Sequence, residues 1–220
     1  MNKLHPLKVI GIMLVLFGLP LGSWFFMKSG ADFRMASINE MGKYGEIQDF
    51  DLELSNGKRL TKEDVAKKVL MVNFLSADDL DNNEVFDRLK WIQEQFQERL
   101  LKRTDFMFLS HIKFDSISDL NKYQIEIDKD EGKNYRRWNL LSGEAEVLSN
   151  LAKNSYHLPL KEGESTFDNP YLAIVDTDMQ VRYFYNIFEK DDVAKLMMHL
   201  SILLPPQDDR KVEIKTEIKN

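Results

Sequence analysis

A long apolar stretch near the amino terminus is the feature that most constrains this chain. Residues Val9 to Met27 carry no charged side chain, and Lys8 and Lys28 bracket them. About 19 helical residues, each rising about 1.5 Å, come close to crossing the roughly 30 Å hydrocarbon layer of a bilayer. Trp24 and the two phenylalanines after it lie where an aromatic belt would meet the lipid headgroups. The stretch therefore predicts one transmembrane helix over residues 9–27.

A cleaved signal peptide is the alternative interpretation of the same stretch. Its apolar core would be shorter, and a cleavage site between small residues would follow it. Leu21-Gly22-Ser23 is only a weak candidate for that site, so we expect the anchor to be retained. Lys3 and Lys8 precede the span, which favours a cytoplasmic amino terminus over residues 1–8. In a bacterium this topology predicts a single-pass protein of the inner (cytoplasmic) membrane with a periplasmic domain.

Charge and hydrophobic pattern indicate the class of partner and the segments of the remaining chain. The net charge of −6 and a pI near 5.3, with scattered lysines and arginines, argue against a nucleic-acid partner. Residues 28–45 show no clean hydrophobic period and are predicted to be a linker. Residues 46–204 are predicted to be one folded domain. Residues 205–220 are charged and predicted to be a flexible tail.

Strand patterns recur through the predicted domain. Apolar residues recur from Ile47 to Leu54, and Asn56-Gly57 then suits the positive φ of a hairpin turn. The run Val69–Phe74 is almost continuously apolar, as expected of a central strand covered on both faces. Three further strands are predicted, the last two as a second hairpin: Phe106–Ile112, Tyr171–Val175 and Val181–Tyr185.

Helices are predicted between these strands. Apolar residues from Val85 to Leu100 recur at helical spacing with charges between them. Three shorter helices are predicted: one begins after Asp115 and Ser116, one spans Ala145–Ala152, and one spans Val193–Leu203. Trp138–Gly143 is predicted to be a loop. The order indicates an α/β, thioredoxin-like three-layer fold with an N-terminal β-hairpin extension, preceded by one transmembrane helix.

Several short strings, in this order, resemble the Sco/SenC family of thioredoxin-fold proteins. They are Phe50-Asp51-Leu52 with Asn56-Gly57, Val72-Asn73-Phe74, Phe108-Leu109-Ser110 with Phe114-Asp115-Ser116, Trp138-Asn139-Leu140-Leu141-Ser142-Gly143, and Ile174-Val175-Asp176 with Val181-Arg182-Tyr183-Phe184-Tyr185. That family comprises membrane-anchored copper-delivery and thiol-redox factors for cytochrome c oxidase assembly. The resemblance covers Ile47 to Leu204 and implies the same fold and a partner in a respiratory complex.

The reactive residues of that family are missing from this chain. The family places C-x-x-x-C directly after its central strand, but the sequence contains no cysteine. The resemblance puts Ala77 and Asp81 at the cysteine positions, and Asp168, six residues before Ile174, at the copper-binding histidine. A thiolate is the nucleophile in disulfide exchange and the soft ligand that selects Cu(I). We therefore expect neither activity: no enzyme, no cofactor and no bound metal.

An acidic loop follows the predicted central strand and contains Asp78, Asp79, Asp81 and Glu84. One interpretation is a replacement site for a hard cation such as Ca²⁺ or Mg²⁺, which prefers oxygen ligands. The favoured interpretation is that residues Asp81 to Asn83 cap the long helix and the other side chains are solvated. The spacing does not match an EF-hand loop.

The histidines show no metal-ligand spacing. They are His5, His111, His157 and His199, and no two are separated as in H-x-x-x-H. His111 falls in a strand and is interpreted as a partly buried ring with a backbone partner. Ser110-His111 with Asp115 supply the residue types of a catalytic triad. Adjacent strand residues point to opposite faces, however, so nucleophilic catalysis is not expected.

Asn169-Pro170 precedes a strand at the place where thioredoxin-like folds often carry a cis-proline. A cis Pro170 would indicate that the old cleft persists, lined also by Asp78 and Asp79. A trans proline would simply begin an edge strand. The sequence is compatible with both alternatives.

The function predicted from these features is a membrane-anchored, non-catalytic Sco-like protein. Its partner would be a protein at the membrane, and it would serve as an interaction or assembly factor for a respiratory (cytochrome oxidase) complex. The alternative is a carboxylate-based metal-binding protein that uses the acidic loop Asp78–Glu84.

Overall fold

The computed structural model of the chain describes residues 11–76, 83–96, 103–113, 117–129 and 138–204. It divides into two compact units, Met1–Met41 and Gly42–Asn220. Several predictions lie outside the described residues: the segment 1–8, Ala77 to Asp81, Asp115 with Ser116, and the tail 205–220.

The first unit is one long helix. A π-helical turn at Leu14–Gly18 leads into helix α1, Leu19–Glu40. The π turn lies next to Pro20, which cannot donate a hydrogen bond to the carbonyl four residues earlier and therefore disturbs the regular ladder. The helix Gly11–Glu40 is long and apolar enough to cross a membrane, a property it shares with signal sequences.

Most of the segment predicted as a linker is helical. Helix α1 continues through residues 28–40 and ends at Glu40. No period was visible there because apolar residues such as Phe33 and Met35 are not sorted onto one buried face; they are 60% and 56% exposed.

The second unit is built on a mixed sheet, which has eight strands among the described residues. The strands are β1 Gly45–Glu46, β2 Asp51–Leu54, β3 Arg59–Thr61, β4 Val69–Ser76, β5 Phe106–Lys113, β6 Trp138–Gly143, β7 Tyr171–Val175 and β8 Gln180–Asn186. Their spatial order is β1-β8-β7-β4-β5-β6-β2-β3. Strands β4, β5 and β6 run parallel, and the other pairs are antiparallel.

Helices cover both faces of this sheet, which confirms the predicted three-layer arrangement. One face packs against α2 Glu84–Glu94, α3 Ile117–Lys129 and α5 Lys190–Leu203. The other face packs against α4 Ala145–Asn150 and the π-helical turn Leu151–Ser155 that extends it. Strand β4 is buried almost throughout, as its apolar run predicted.

The prediction of a loop at Trp138–Gly143 was wrong. The segment is strand β6, which pairs in parallel with β5. The indole of Trp138 is 1% exposed and stacks on Phe108, with ring centroids 4.8 Å apart. Polar and small residues at positions 139, 142 and 143 interrupt the apolar pattern and hid this strand.

The predicted hairpin extension is confirmed. Strands β2 and β3 pair antiparallel, and β2 also pairs with β6, which attaches the hairpin to that side of the sheet. Gly57 in the connecting turn has φ +79°, the conformation for which the Asn-Gly pair was assigned to a turn.

Candidate functional site

The candidate site lies at the end of the central strand β4. The carboxyl ends of β4 and β5 meet at one edge of the sheet because the two strands are parallel. Ligands of open α/β sheets bind at such edges. Ala77, Asp78, Asp79 and Asp81 connect β4 to α2 in the sequence and lie outside the described residues. Asp168 is described, and it reaches this edge.

The Asp168 carboxylate joins the end of β4 to the start of α2. Its Oδ1 atom accepts a hydrogen bond from the Ser76 backbone N–H at 3.0 Å and from Asn83 Nδ2 at 2.6 Å. Its own backbone N–H donates to the Phe74 carbonyl oxygen at 3.0 Å. We call Phe74, Ser76, Asn83 and Asp168 the Asp168 clamp.

Asn83 connects the clamp to helix α2. Its Oδ1 atom accepts the backbone N–H of Phe86 at 3.0 Å, which makes it the N-cap residue. Its Nδ2 group is therefore aimed away from the helix and toward Asp168. Capping by Asn83 is confirmed, but the link from Asn83 to Asp168 had no signal in the sequence because the two residues meet only in the folded chain.

The loop that contains Asp168 is held by hydrogen bonds among its own residues, 165–171. Asp168 has φ +56°, a left-handed conformation that Asp tolerates better than most residues. The Asn169 side chain donates to the Thr166 carbonyl at 2.6 Å and accepts the Tyr171 N–H at 2.9 Å. The Ser165 hydroxyl donates to the Phe167 carbonyl at 2.8 Å. These bonds hold the unusual backbone conformation in place.

Pro170 is trans, since no cis peptide bond occurs among the described residues. Of the two alternatives, the cis proline is therefore wrong, and the trans proline is found but does not begin an edge strand, because β7 lies between β4 and β8. Pro170 is tolerated there because it precedes the first paired residue, Tyr171, and leaves no ladder bond unmade. Its carbonyl oxygen accepts the Ile187 N–H at 2.9 Å.

The donor atoms at this edge do not fit Cu(I). The chain has no thiol, and Asp168 offers a hard oxygen ligand that already accepts two hydrogen bonds. Among the residues that the structure describes, no group of three or more His, Cys, Asp or Glu side chains is placed to hold a metal. The clamp's hydrogen bonds join the end of β4 to the start of α2.

His111 lies on β5 directly beside Phe74 of the clamp, two residues before the strand ends. It is fully buried, and its Nε2 atom lies 3.3 Å from the Tyr156 hydroxyl oxygen. Phe74 and Phe50 pack around the ring, with centroids 4.8 and 6.1 Å away. The expected backbone partner is replaced by Tyr156, and within the described part of the chain Nδ1 has no hydrogen-bond partner. Burial lowers the pKa of His111 to about 3 and raises the pKa of Tyr156.

Ser110 faces the opposite side of the sheet from His111. Its hydroxyl donates to Asn73 Oδ1 and accepts the Trp138 Nε1–H, both at 2.7 Å. His111 instead contacts the aromatic residues of the other face. The expectation that Ser110 and His111 do not meet is confirmed.

The remaining histidines do not contribute to the Asp168 clamp. His199 is buried on α5 with its Nδ1 atom 2.8 Å from the Tyr185 hydroxyl oxygen. His157 is exposed and has φ +52°. His5 lies outside the described part of the chain.

No family model matches this sequence, and no curated protein matches it. By structure, the chain is similar to BsSco, described as a member of the Sco family of cytochrome c oxidase assembly proteins, with TM-score 0.55 and 16% identity over 73% of this chain and 96% of that one. It is similar to a SCO1/SenC family lipoprotein from Bacillus anthracis, with TM-score 0.55 and 17% identity over 72% and 94% of the two chains. It is also similar to a putative protein disulfide isomerase from Bacteroides thetaiotaomicron, with TM-score 0.53 and 15% identity over 74% and 93%. The fold is therefore the Sco-type thioredoxin-like fold, as the resemblance implied.

Proposed function

We propose that this chain is a membrane-anchored, non-catalytic Sco-like protein that acts as an interaction or assembly factor for a respiratory complex. A cytochrome oxidase is the first candidate for that complex. The observation that supports this proposal is a Sco-type fold in a sequence without cysteine, with Asp168 engaged in a structural clamp.

Loss of the thiols removes both activities associated with such a scaffold. Disulfide exchange requires a thiolate nucleophile, and Cu(I) as cargo requires soft ligands. The surfaces of the fold do not depend on those ligands, so binding to another protein is the activity that can persist. We propose no enzymatic reaction for this chain.

The amino-terminal helix supports a role at a membrane. We propose that it stays attached, places the domain on the periplasmic side of a bacterial inner membrane and anchors it there. An anchor raises the effective concentration of the domain near membrane-bound partners without any new contact.

Affinity purification of the full-length chain from solubilised membranes tests this proposal. We expect it to recover subunits of a respiratory complex. The control is the same anchor, residues 1–41, fused to an unrelated soluble domain. Recovery of no respiratory subunit, or equal recovery with the control, would overturn the proposed function.

The carboxylate-based metal site is tested separately by calorimetry with Cu(I), Cu(II), Ca²⁺ and Zn²⁺. Micromolar binding that Asp81→Ala abolishes would replace the interaction role with a metal-binding role. Absence of heat with all four ions would remove that alternative.

A further inference from the structure

Two exposed aromatic rings and one arginine lie together on α2 and on the turn that joins β8 to α5. We call Arg88, Trp91 and Phe188 the Trp91 patch. Trp91 and Phe188 are each 41% exposed, and Arg88 is partly buried.

Arg88 links the two aromatic residues. Its Nε–H donates to the carbonyl oxygen of Ile187, the residue before Phe188, at 2.7 Å. Its guanidinium carbon lies 4.0 Å from the centroid of the Trp91 ring, within the range of a cation–π contact. The side chain is therefore fixed at both points, and little rotamer freedom remains to be lost on binding.

Phe188 lies in a hydrogen-bonded turn that leaves its ring partly exposed to solvent. Its N–H donates to Asn186 Oδ1 at 3.0 Å, and the Glu189 N–H donates to the Asn186 carbonyl at 3.1 Å. The Asn186 N–H is itself bound by Asp192 Oδ2 at 2.9 Å. The neighbouring Ile187 is 1% exposed and fills the core, so core packing does not explain the large apolar ring at position 188.

The Nη groups of Arg88 supply the charge of the patch. Among the residues that the structure describes, they make no hydrogen bond and no ion pair. The adjacent carboxylate, Asp87, is occupied by Lys90 at 2.6 Å. A guanidinium fixed at Nε, with Nη groups that have no partner among the described residues, matches the geometry of a carboxylate.

We infer that the Trp91 patch is the surface on which a partner protein docks, through a carboxylate flanked by apolar side chains. This inference rests on the proposed function and names the contact surface for it. Trp and Arg are the residues that most often dominate binding energy at protein interfaces. The carboxylates of Glu84, Asp87 and Glu94 on the same helix oppose binding to an anionic lipid surface.

Fluorine NMR of the full-length chain in detergent micelles, labelled with 5-fluorotryptophan, tests the inference. The Trp91 signal is assigned by its loss in Trp91→Phe, and buried Trp138 serves as an internal reference. The probes are two soluble peptides in which Glu, or Gln in its place, stands between Phe and Leu. We expect the Glu peptide to shift the Trp91 signal and the Gln peptide to bind at least about tenfold more weakly.

Two variants complete the test. Arg88→Ala should remove the shift caused by the Glu peptide, whereas Lys58→Ala, which removes one positive charge from the exposed β2–β3 turn, should retain it. Equal binding of the two peptides, no shift with either, a shift with anionic vesicles instead, or a shift that depends only on protein concentration would each overturn the inference. If Arg88→Ala still recovers respiratory subunits in full yield from membranes, the docking surface is wrong while the proposed function stands.

Discussion

At the scale of single residues, the Asp168 carboxylate braces the end of β4 against the start of α2. A neutral imidazole has one acceptor nitrogen, while a carboxylate has about four acceptor sites on two oxygens. One Asp168 oxygen can therefore accept both the Ser76 N–H and the Asn83 side chain.

We predict that Asp168→Ala lowers the free energy of unfolding by about 2 kcal/mol, from lost hydrogen bonds and from alanine in a left-handed conformation. Asp168→Gly relieves the backbone cost and isolates the hydrogen bonds, and Asp168→Asn keeps an acceptor oxygen and should lose least. Urea denaturation in detergent micelles gives the three values. Identical midpoints for Ala and wild type would show that the clamp does not stabilise the fold.

His111 gives the fold a specific dependence on pH. Its folded-state pKa of about 3 lies below the unfolded value of about 6.5, so between these values the unfolded chain binds a proton that the native chain does not. Stability therefore falls as the pH drops below about 6.5, and by pH 5 the loss from this residue is roughly 2 kcal/mol.

The matched variant for this prediction is His111→Phe, which suits the surrounding aromatic rings. Urea midpoints are compared from pH 8 to pH 4. At every pH the variant should lose a constant amount of stability, because the Tyr156 hydroxyl loses its hydrogen-bond partner. Its free energy of unfolding should nevertheless fall less steeply than that of the wild type as the pH is lowered. Parallel curves for the two proteins would contradict the buried neutral histidine.

At the scale of elements, the burial of an ion pair determines how much that pair contributes to the stability of its hairpin. Asp176 accepts the N–H groups of Asp178 and Gln180 and pairs with Arg182 at 2.8 Å, with both charged side chains largely buried. The Arg59–Asp51 pair on the β2–β3 hairpin is more than half exposed. Burial should make the first pair far more costly to break than the second.

We therefore predict that Asp176→Ala destabilises the chain by about 3 kcal/mol, because it strands the Arg182 charge and two backbone N–H groups. Asp51→Ala, the exposed counterpart, should cost much less. Both losses are read from urea denaturation at neutral pH. Equal losses would mean that the β7–β8 turn does not depend on Asp176.

Elements with one dominant pattern could be predicted from sequence, and those with mixed patterns could not. Strand β4 is apolar along its length, and Asn56-Gly57 encodes its own turn, so local physics was sufficient for both. Strand β6 mixes buried Trp138 with Asn, Ser and Gly, and only its pairing with β5 makes it a strand. The resemblance to the Sco/SenC family singled out Asp168 as a candidate site residue. Its hydrogen bonds to Ser76 and Asn83 could not be predicted, because they join residues far apart in the sequence and no local pattern encodes them.

At the scale of the whole molecule, the chain combines an apolar helix long enough to span a membrane with a domain of Sco-type fold that contains no cysteine. The hydrophobic cores on the two faces of the sheet are built without any cysteine side chain. We therefore expect that cysteine and histidine side chains can be introduced at positions 77, 81 and 168 without loss of the fold.

The most direct test of this account is Cu(I) binding by the full-length variant Ala77→Cys, Asp81→Cys, Asp168→His. The control variant carries Asp78→Cys and Asp79→Cys with Asp168→His, which supplies the same donors at the wrong spacing. Competition with a Cu(I) chelator should show one tightly bound ion in the first variant and none in the wild-type chain or the control. A first variant that unfolds at the wild-type urea concentration yet binds no Cu(I) would contradict the claim that positions 77, 81 and 168 form an emptied Sco-type site.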